Sequence, residues 1–398
     1  MTVYSKTELR HQLWRQEVLK LIRSMPEASR ISIKRESGLS MESTLAVIDQ
    51  LLEEELIVSV GKKDSAKAGR KATLLSINAE GCYFIGVRYS AERIIAMCMD
   101  FALQPVDSFR IHYDTTPDVD TLVKDICRCI QQLIDVLGPR SERLAGIGLG
   151  VPGLIDLQQG RILRYTHIPT LENVPLRDIV QERFGVPTYL EHGVKCSARA
   201  FLCMPEHSES HDLLFLQMAL GVNMCAIING RIHTGFQYMS GEIGQLLCNG
   251  KDTVESLVAS DSMCRKARKA IAAGDDDFAI LKALGVPVTI DAMAKAASRG
   301  CMGSRRLLER AGDTVGTLLS YAVMIINPQE IILCGAHNQS SFFEQAVRSA
   351  LNRRCLPESI ACMQLKFAPD DPVLDAHGVA LLPYQKQFDS QKDISLSL

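Results

Sequence analysis

The chain has 398 residues, 46% of them apolar and 23% charged, with a formal net charge of −2. That length holds two or three domains with true hydrophobic cores, and the balanced charge excludes a surface coated in basic residues. No apolar run reaches the roughly 18 residues of a membrane span, and the opening MTVYSKTELRHQLWRQ is polar, so a cytoplasmic protein without membrane association is expected.

Thirteen cysteines are scattered through apolar stretches without a CxxC pair, which reads as buried, reduced thiols. Charge is uneven along the chain. Residues 1–78 carry 13 Lys and Arg against 10 Asp and Glu, a local +3 that leaves −5 for the rest. Nucleic-acid binding is therefore expected at the N-terminus.

The spacing of Leu9, Leu13, Val18, Leu21, Ile22 and Met25 predicts a helix over 8–25, stopped by Pro26. The segment ISIKRES predicts a short second helix over 31–37. Gly38-Leu39-Ser40 reads as a tight turn whose Ser40 caps a third helix over 41–55, with Leu45, Ile48, Leu51 and Leu52 turned inward. Helix, glycine turn, helix is the helix-turn-helix pattern. Residues 56–60 and 73–77 predict two strands, and the loop between them carries Lys62, Lys63, Lys67, Arg70 and Lys71 against Asp64.

Three helices and a basic hairpin describe a winged helix. Its DNA contacts would be Ser40, Met41, Glu42, Ser43 and Thr44 at the start of the third helix, and the five cations of the wing. A dimerisation module with a solvated loop would share the helical pattern; the basic loop in register with the helices favours DNA. Glu42 can accept from a cytosine amino group yet repels phosphate, so more of the affinity is assigned to the wing.

From about Gly81 strands alternate with amphipathic helices. Strands are predicted over 83–89, 94–100 and 104–112, a helix over 119–137, and a buried strand over 144–150. A second run follows, with strands over 213–218 and 223–228, helices across 254–322, and a strand over 330–333. The pattern is α/β, in two related lobes.

Within this body lie Gly148-Leu149-Gly150-Val151-Pro152-Gly153-Leu154-Ile155-Asp156, the run HIPTLENVPL from His167 to Leu176, and Gly241-Glu242-Ile243-Gly244-Gln245, with Ala68-Gly69-Arg70-Lys71 before them. In that order they resemble segments of the ROK family of repressors and sugar kinases: GxGxPGxxD, the N-L-P-x-W-x-x-x-P-L run, G-E-I-G-H, and the repressors' G-R-P hinge. The resemblance covers about residues 10–383. It implies a winged helix-turn-helix followed by a two-lobed, actin-like (ribonuclease H-like) sugar-kinase fold. The expected division is 1–78 for the DNA-binding domain with wing and hinge, 79–198 with about 375–392 for the first lobe, 199–374 for the second, and a tail at 393–398.

Against the family's kinases the chain lacks the residues of catalysis. The D-x-G-x-T opening reads Arg88-Tyr89-Ser90-Ala91-Glu92, and the second phosphate loop, G-T-G-x-G, reads Leu220-Gly221-Val222-Asn223-Met224. The E-N-D-A block that carries the general base reads Glu191-His192-Gly193-Val194, and glycine cannot take a proton. No catalytic residue, and hence no enzyme, is expected; His192 is the one neighbour that could substitute as base. The family's zinc cluster shrinks to Cys248, with Gln245 in place of its histidine, so neither metal nor cofactor is expected.

Sugar contacts implied by the resemblance are Glu242, Gln245 and Glu255, with His192, His167 and Gly153 at further pocket positions. Solvated surface is the plainer reading of Glu242 and Glu255. A buried carboxylate beside a glycine-rich turn needs partners, which favours a ligand. With the base missing, an ordinary hexose would be held weakly, or the ligand is altered, for instance phosphorylated or N-acetylated. The expected partners are duplex operator DNA and a sugar effector, and the expected state is a homodimer or homotetramer. The readings left open are a repressor of carbohydrate genes, an active ROK sugar kinase with a regulatory N-terminus, and a regulator governed by a protein partner.

Overall fold

The computed structural model describes residues 6–63, 72–204, 211–248 and 250–389. The chain divides into two compact units, Met1–Phe201 with Pro372–Leu398, and Leu202–Asp371.

The first unit opens with α1 (Lys6–Ser24), β1 (Ala28–Ser29), α2 (Arg30–Ser37), α3 (Met41–Glu53), β2 (Ile57–Lys63) and β3 (Ala72–Ile77). Ser29 and Ser32 form a reciprocal capping box that starts α2, and Gly38 ends it at φ 68°, a left-handed conformation that suits glycine. Two residues later Ser40 caps α3, its side chain accepting from the Ser43 amide. Val18, Leu19, Ile33, Val47, Ile48, Leu51 and Ile57 bury one common core.

Two expectations need correcting. The inward positions of α3 are Thr44, Val47, Ile48 and Leu51, while Leu45 and Leu52 are half-buried at its flank. The helix also stops at Glu53, because Glu55 turns the chain at φ 56°. The small sheet has order β1-β3-β2, so a third strand, Ala28–Ser29, backs the predicted pair.

The body of this unit comprises β4 (Tyr83–Tyr89), β5 (Arg93–Asp100), β6 (Pro105–His112), α4 (Val119–Leu137), β7 (Leu144–Val151), the small strands β8 (Leu154–Asp156), β9 (Arg161–Arg164) and β10 (Glu172–Val174), α5 (Leu176–Phe184), β11 (Thr188–His192) and α6 (Gly193–Leu202). The main sheet runs β11-β7-β4-β5-β6, with β11, β7 and β4 parallel and β4, β5 and β6 antiparallel. The C-terminal helix (Pro372–Phe388) crosses it, closely enough that a Cβ at Gly86 would meet the Ala380 backbone nitrogen at 2.2 Å.

That helix also touches the N-terminal head. Tyr384 and Phe388 stack at 5.9 Å and pack on Phe84 and Phe101, while Arg23 of α1 lies 5.2 Å over Tyr384 and donates to the Phe101 carbonyl at 2.8 Å. Arg15 covers Phe388 at 5.9 Å. Head and body thus share one aromatic core.

The second unit is built from β12 (Leu213–Met218), β13 (Val222–Ile228), β14 (Arg231–Ile232), α7 (Val254–Val258), α8 (Ser260–Ala272), α9 (Ala279–Ala283), α10 (Ile290–Ser298), α11 (Met302–Ile326), β15 (Glu330–Gly335), α12 (Ser341–Arg354), α13 (Pro357–Cys362) and β16 (Gln364–Ala368). Its sheet runs β14-β13-β12-β15-β16, with β12, β15 and β16 parallel. Leu214, Leu216, Met263, Val315, Leu319 and Phe343 lie in its core. Among the described residues, no helix is long and apolar enough to cross a membrane.

Candidate functional site

In the first unit the carboxyl ends of β4, β7 and β11 lie side by side, where open α/β sheets bind ligands. Arg88, Gly150, Gly153, His192 and Gly193 gather there. Gly153 holds φ 80°, and a Cβ on it would meet the Arg164 carbonyl at 2.4 Å.

Gly193 begins α6, and the Arg88 guanidinium occupies the space a side chain would need: a Cβ at 193 would lie 2.4 Å from Arg88 Cζ. Arg88 Nη1 donates to the Tyr89 carbonyl at 2.9 Å and lies 3.4 Å from the Gly150 carbonyl. Asp375 of the C-terminal helix approaches Arg88 Nε at 3.9 Å and accepts a hydrogen bond from Ser197 of α6. Below it, Glu191 faces Arg199 at 3.7 Å.

His192 is buried and hydrogen-bonded to the Gly153 backbone. Burial first, then the charges of Arg88 and Lys195, push its pKa down to about 3. The ring therefore stays neutral at physiological pH. His167, between β9 and β10, is half-buried against Tyr165, the ring centroids 5.3 Å apart.

In the second unit a different corner forms. Gly241, at φ 97°, sits so close to β13 that a Cβ would meet the Met224 carbonyl at 1.9 Å. Glu255 rises from α7, whose cap Thr253 accepts from the Ser256 amide at 3.1 Å. Its Oε2 lies 3.1 Å from the Cβ positions of both Gly221 and Gly244. A carboxylate therefore fills the turn before β13, a poor setting for a polyphosphate. Glu255 is half-buried, whereas Glu242 and Gln245 are exposed. The burial argument for a ligand thus keeps its footing at Glu255 and loses it at Glu242. Cys248 is exposed, and no group of three or more His, Cys, Asp or Glu able to hold a metal occurs among the described residues.

The six residues matched to sugar contacts divide between the units: Gly153, His167 and His192 in the first, Glu242, Gln245 and Glu255 in the second. Within the first, Gly153 and His192 touch; within the second, Glu255 reaches the 241–245 turn at Gly244.

At the head, Ser40, Met41 and Glu42 are exposed at the start of α3, and Ser43 is half-exposed, its hydroxyl accepting from Ser40 at 2.9 Å. Thr44 must be corrected as a DNA contact. It is 0% exposed and its hydroxyl donates back to the Ser40 carbonyl at 2.9 Å. Lys67, Arg70 and Lys71 lie outside the described residues, as do the side chains of Lys62 and Lys63 and the expected tail. Arg30, Lys34 and Arg35 are also exposed on α2, the last two within the charged ISIKRES segment. Arg30 pairs with Asp49 at 2.6 Å. The seating of Arg88 on Gly193 was also missed, since the two are far apart in sequence.

The ROK family model matches residues 84–369. The chain is 25% identical over 350 residues to the xylose repressor of Caldicellulosiruptor bescii, covering 85% of this chain and 86% of that protein. It is 24% identical over 326 residues to the DNA-binding transcriptional repressor Mlc of Escherichia coli, covering 79% of each. A solved ROK family transcriptional regulator, described as a homolog of the E. coli Mlc protein, shares the fold at a TM-score of 0.82 and 19% identity, over 96% of this chain and 98% of that one.

Proposed function

The chain belongs to the ROK family, and on that premise we propose that it is a cytoplasmic DNA-binding regulator of carbohydrate genes, acting as a repressor, that senses a sugar or sugar derivative and has no kinase activity. The observation that carries this is the likeness to repressors over 85% and 79% of the chain, beside a fold shared over 96% of it with a solved ROK family regulator. Loss of catalysis is supported locally by Gly193, which offers no proton acceptor, and by the arginine seated on it.

Residues 1–78 are the DNA-binding part, with 79–198 plus about 375–392 and 199–374 as the two lobes of the sensor. Ser40, Met41, Glu42 and Ser43 would meet base edges, and Lys62, Lys63, Lys67, Arg70 and Lys71 phosphate and minor groove, Arg70 suiting a narrow A·T-rich groove. A homodimer would place two heads on half-sites whole helical turns apart, about 10 bp each. Glu242, Gln245 and Glu255 in one unit and Gly153, His167 and His192 in the other are the proposed sugar contacts.

The C-terminal helix is the proposed link from sensor to head. Asp375 near one end meets Arg88 and Ser197, and Tyr384 and Phe388 near the other meet α1. At about 1.5 Å per residue this helix, which carries Pro383 in its interior, spans roughly 25 Å. The test is a coupled assay of ATP turnover across a sugar panel, alongside DNA binding by the same preparation. No turnover with sequence-preferring DNA binding is expected; phosphorylation of any sugar overturns the reading in favour of a kinase.

A further inference from the structure

A cleft of about 120 Å³ lies within the second unit, between α10 and the segment that leads into α12. Asp291, Ala294, Lys295 and Ser298 form one wall, and the run from Gln339 to Phe342 forms the other. Neither Glu255 nor the 241–245 turn lines it.

Two buried polar atoms in its walls are orphans. Asp291 is half-buried, and its buried Oδ1 has no hydrogen-bond partner. Ser340 is 3% exposed, and its Oγ has none either, although it stands directly before α12, where a serine hydroxyl commonly caps the helix. Such groups are costly to bury until a ligand completes them. Lys295, exposed, follows Asp291 by one turn of α10. Carboxylate before lysine at that spacing is the order in which helical ion pairs close, yet no ion pair joins these two among the described residues.

The signs decide which ligand fits. An anion would suit Lys295 and the Ser340 hydroxyl but would meet the Asp291 carboxylate. A cation would suit Asp291 and be repelled by Lys295. A neutral molecule would leave both charges without a counter-charge. A small zwitterion answers both, its ammonium donating to Asp291 and its carboxylate accepting from Ser340 and facing Lys295. Residues four apart on a helix stand about 5–6 Å from each other at Cβ, a gap that an amino acid with both charges on one carbon can bridge. Half-buried Phe342 offers an apolar wall for its side chain.

We propose that this cleft is a second effector site, for a small zwitterion of the α-amino-acid class. It shares no residue with the sugar contacts and gives the regulator a second input.

Titration calorimetry on the full chain tests this with the twenty free amino acids, glycine betaine, acetate, methylamine and adenosine. At least one amino acid should bind, about tenfold or more tighter than acetate or methylamine, each of which makes only one of the two charged contacts. Glycine betaine has both charges but no N–H for Asp291, and should be about tenfold weaker as well. Asp291→Asn should weaken the amino acid about tenfold and Ser340→Ala about threefold, with the melting midpoint of Ser340→Ala not lowered, since the hydroxyl serves nothing in the unliganded fold. If Asp291→Asn fails to fold, Lys295→Met on the exposed side of α10 replaces it, with an expected loss of about fivefold. Silence from all twenty amino acids, or an affinity unmoved by these variants, overturns the proposal. Acetate binding as tightly as the best amino acid overturns it in favour of an anion site, methylamine in favour of a cation site, and adenosine in favour of a neutral heterocycle. The sugar reading stands or falls separately from every one of these outcomes.

Discussion

Each unit uses glycine to seat a charged side chain at the end of its sheet, and the charges are opposite. In the first, Gly193 receives the guanidinium of Arg88; in the second, Gly221 and Gly244 receive the carboxylate of Glu255. A phosphoryl-transfer site needs the reverse arrangement, a carboxylate for the sugar hydroxyl and bare amides for phosphate. The comparison teaches that the proposed loss of catalysis would be a matter of occupied space as much as missing groups.

The strictness of the two corners differs, and the largest predicted effect exposes it. In Gly241→Ala the new methyl meets the Met224 carbonyl at a left-handed φ, neither of which can yield, so a loss of about 3 kcal/mol or more is expected in denaturant melts. Gly193→Ala meets only the end of a side chain and should cost about 1 kcal/mol. Equal losses would break the distinction between a backbone-locked corner and a side-chain-filled one.

Acid should probe both units at once. His192 has its pKa lowered to about 3, and His337, whose Nε2 lies 2.8 Å from the Val258 carbonyl, to about 4, each chiefly by burial. The folded state holds these rings neutral, so the unfolded chain takes up protons first as pH falls below 6.5. Their contribution is full above that value and is lost progressively toward the folded pKa. The cost should be about 2 kcal/mol for each at pH 5, read as a falling melting midpoint. His192→Asn and His337→Asn should each flatten the acid limb; a limb unchanged in both variants contradicts the burial of neutral rings.

Glu255→Gln sharpens the contrast in binding. It keeps the shape of the second corner and removes its charge, and sugar affinity should fall about tenfold by calorimetry while the melt barely moves. The smallest effect is expected from Arg70→Ala: operator affinity should weaken modestly, the salt slope drop by about one, and the preference for flanking A·T pairs fade in footprints. An unchanged footprint leaves Arg70 a solvated linker charge.

Much of this was legible because the elements involved are long and periodic. The helix predicted over 119–137 is α4 itself, and the glycine turn before a serine cap announced α3. Strand β1 has two residues and β16 shows no alternation of burial, so neither offers a period to read. Thr44 escaped because a polar residue type hid a core position, its hydroxyl satisfied by its own helix. At the sensor, the vacancy at Gly193 was visible in the sequence, but its filling by Arg88 depends on two parallel strands and a helix start meeting at one edge.

The most direct test is a titration of the full chain on a duplex selected from its own genome, repeated with each sugar and sugar derivative. The account predicts sequence-preferring binding whose Kd one of them shifts by roughly 5- to 150-fold, with the reciprocal shift in that ligand's own affinity when DNA is present. Operator affinity indifferent to every sugar, or no preference among duplexes, would contradict it.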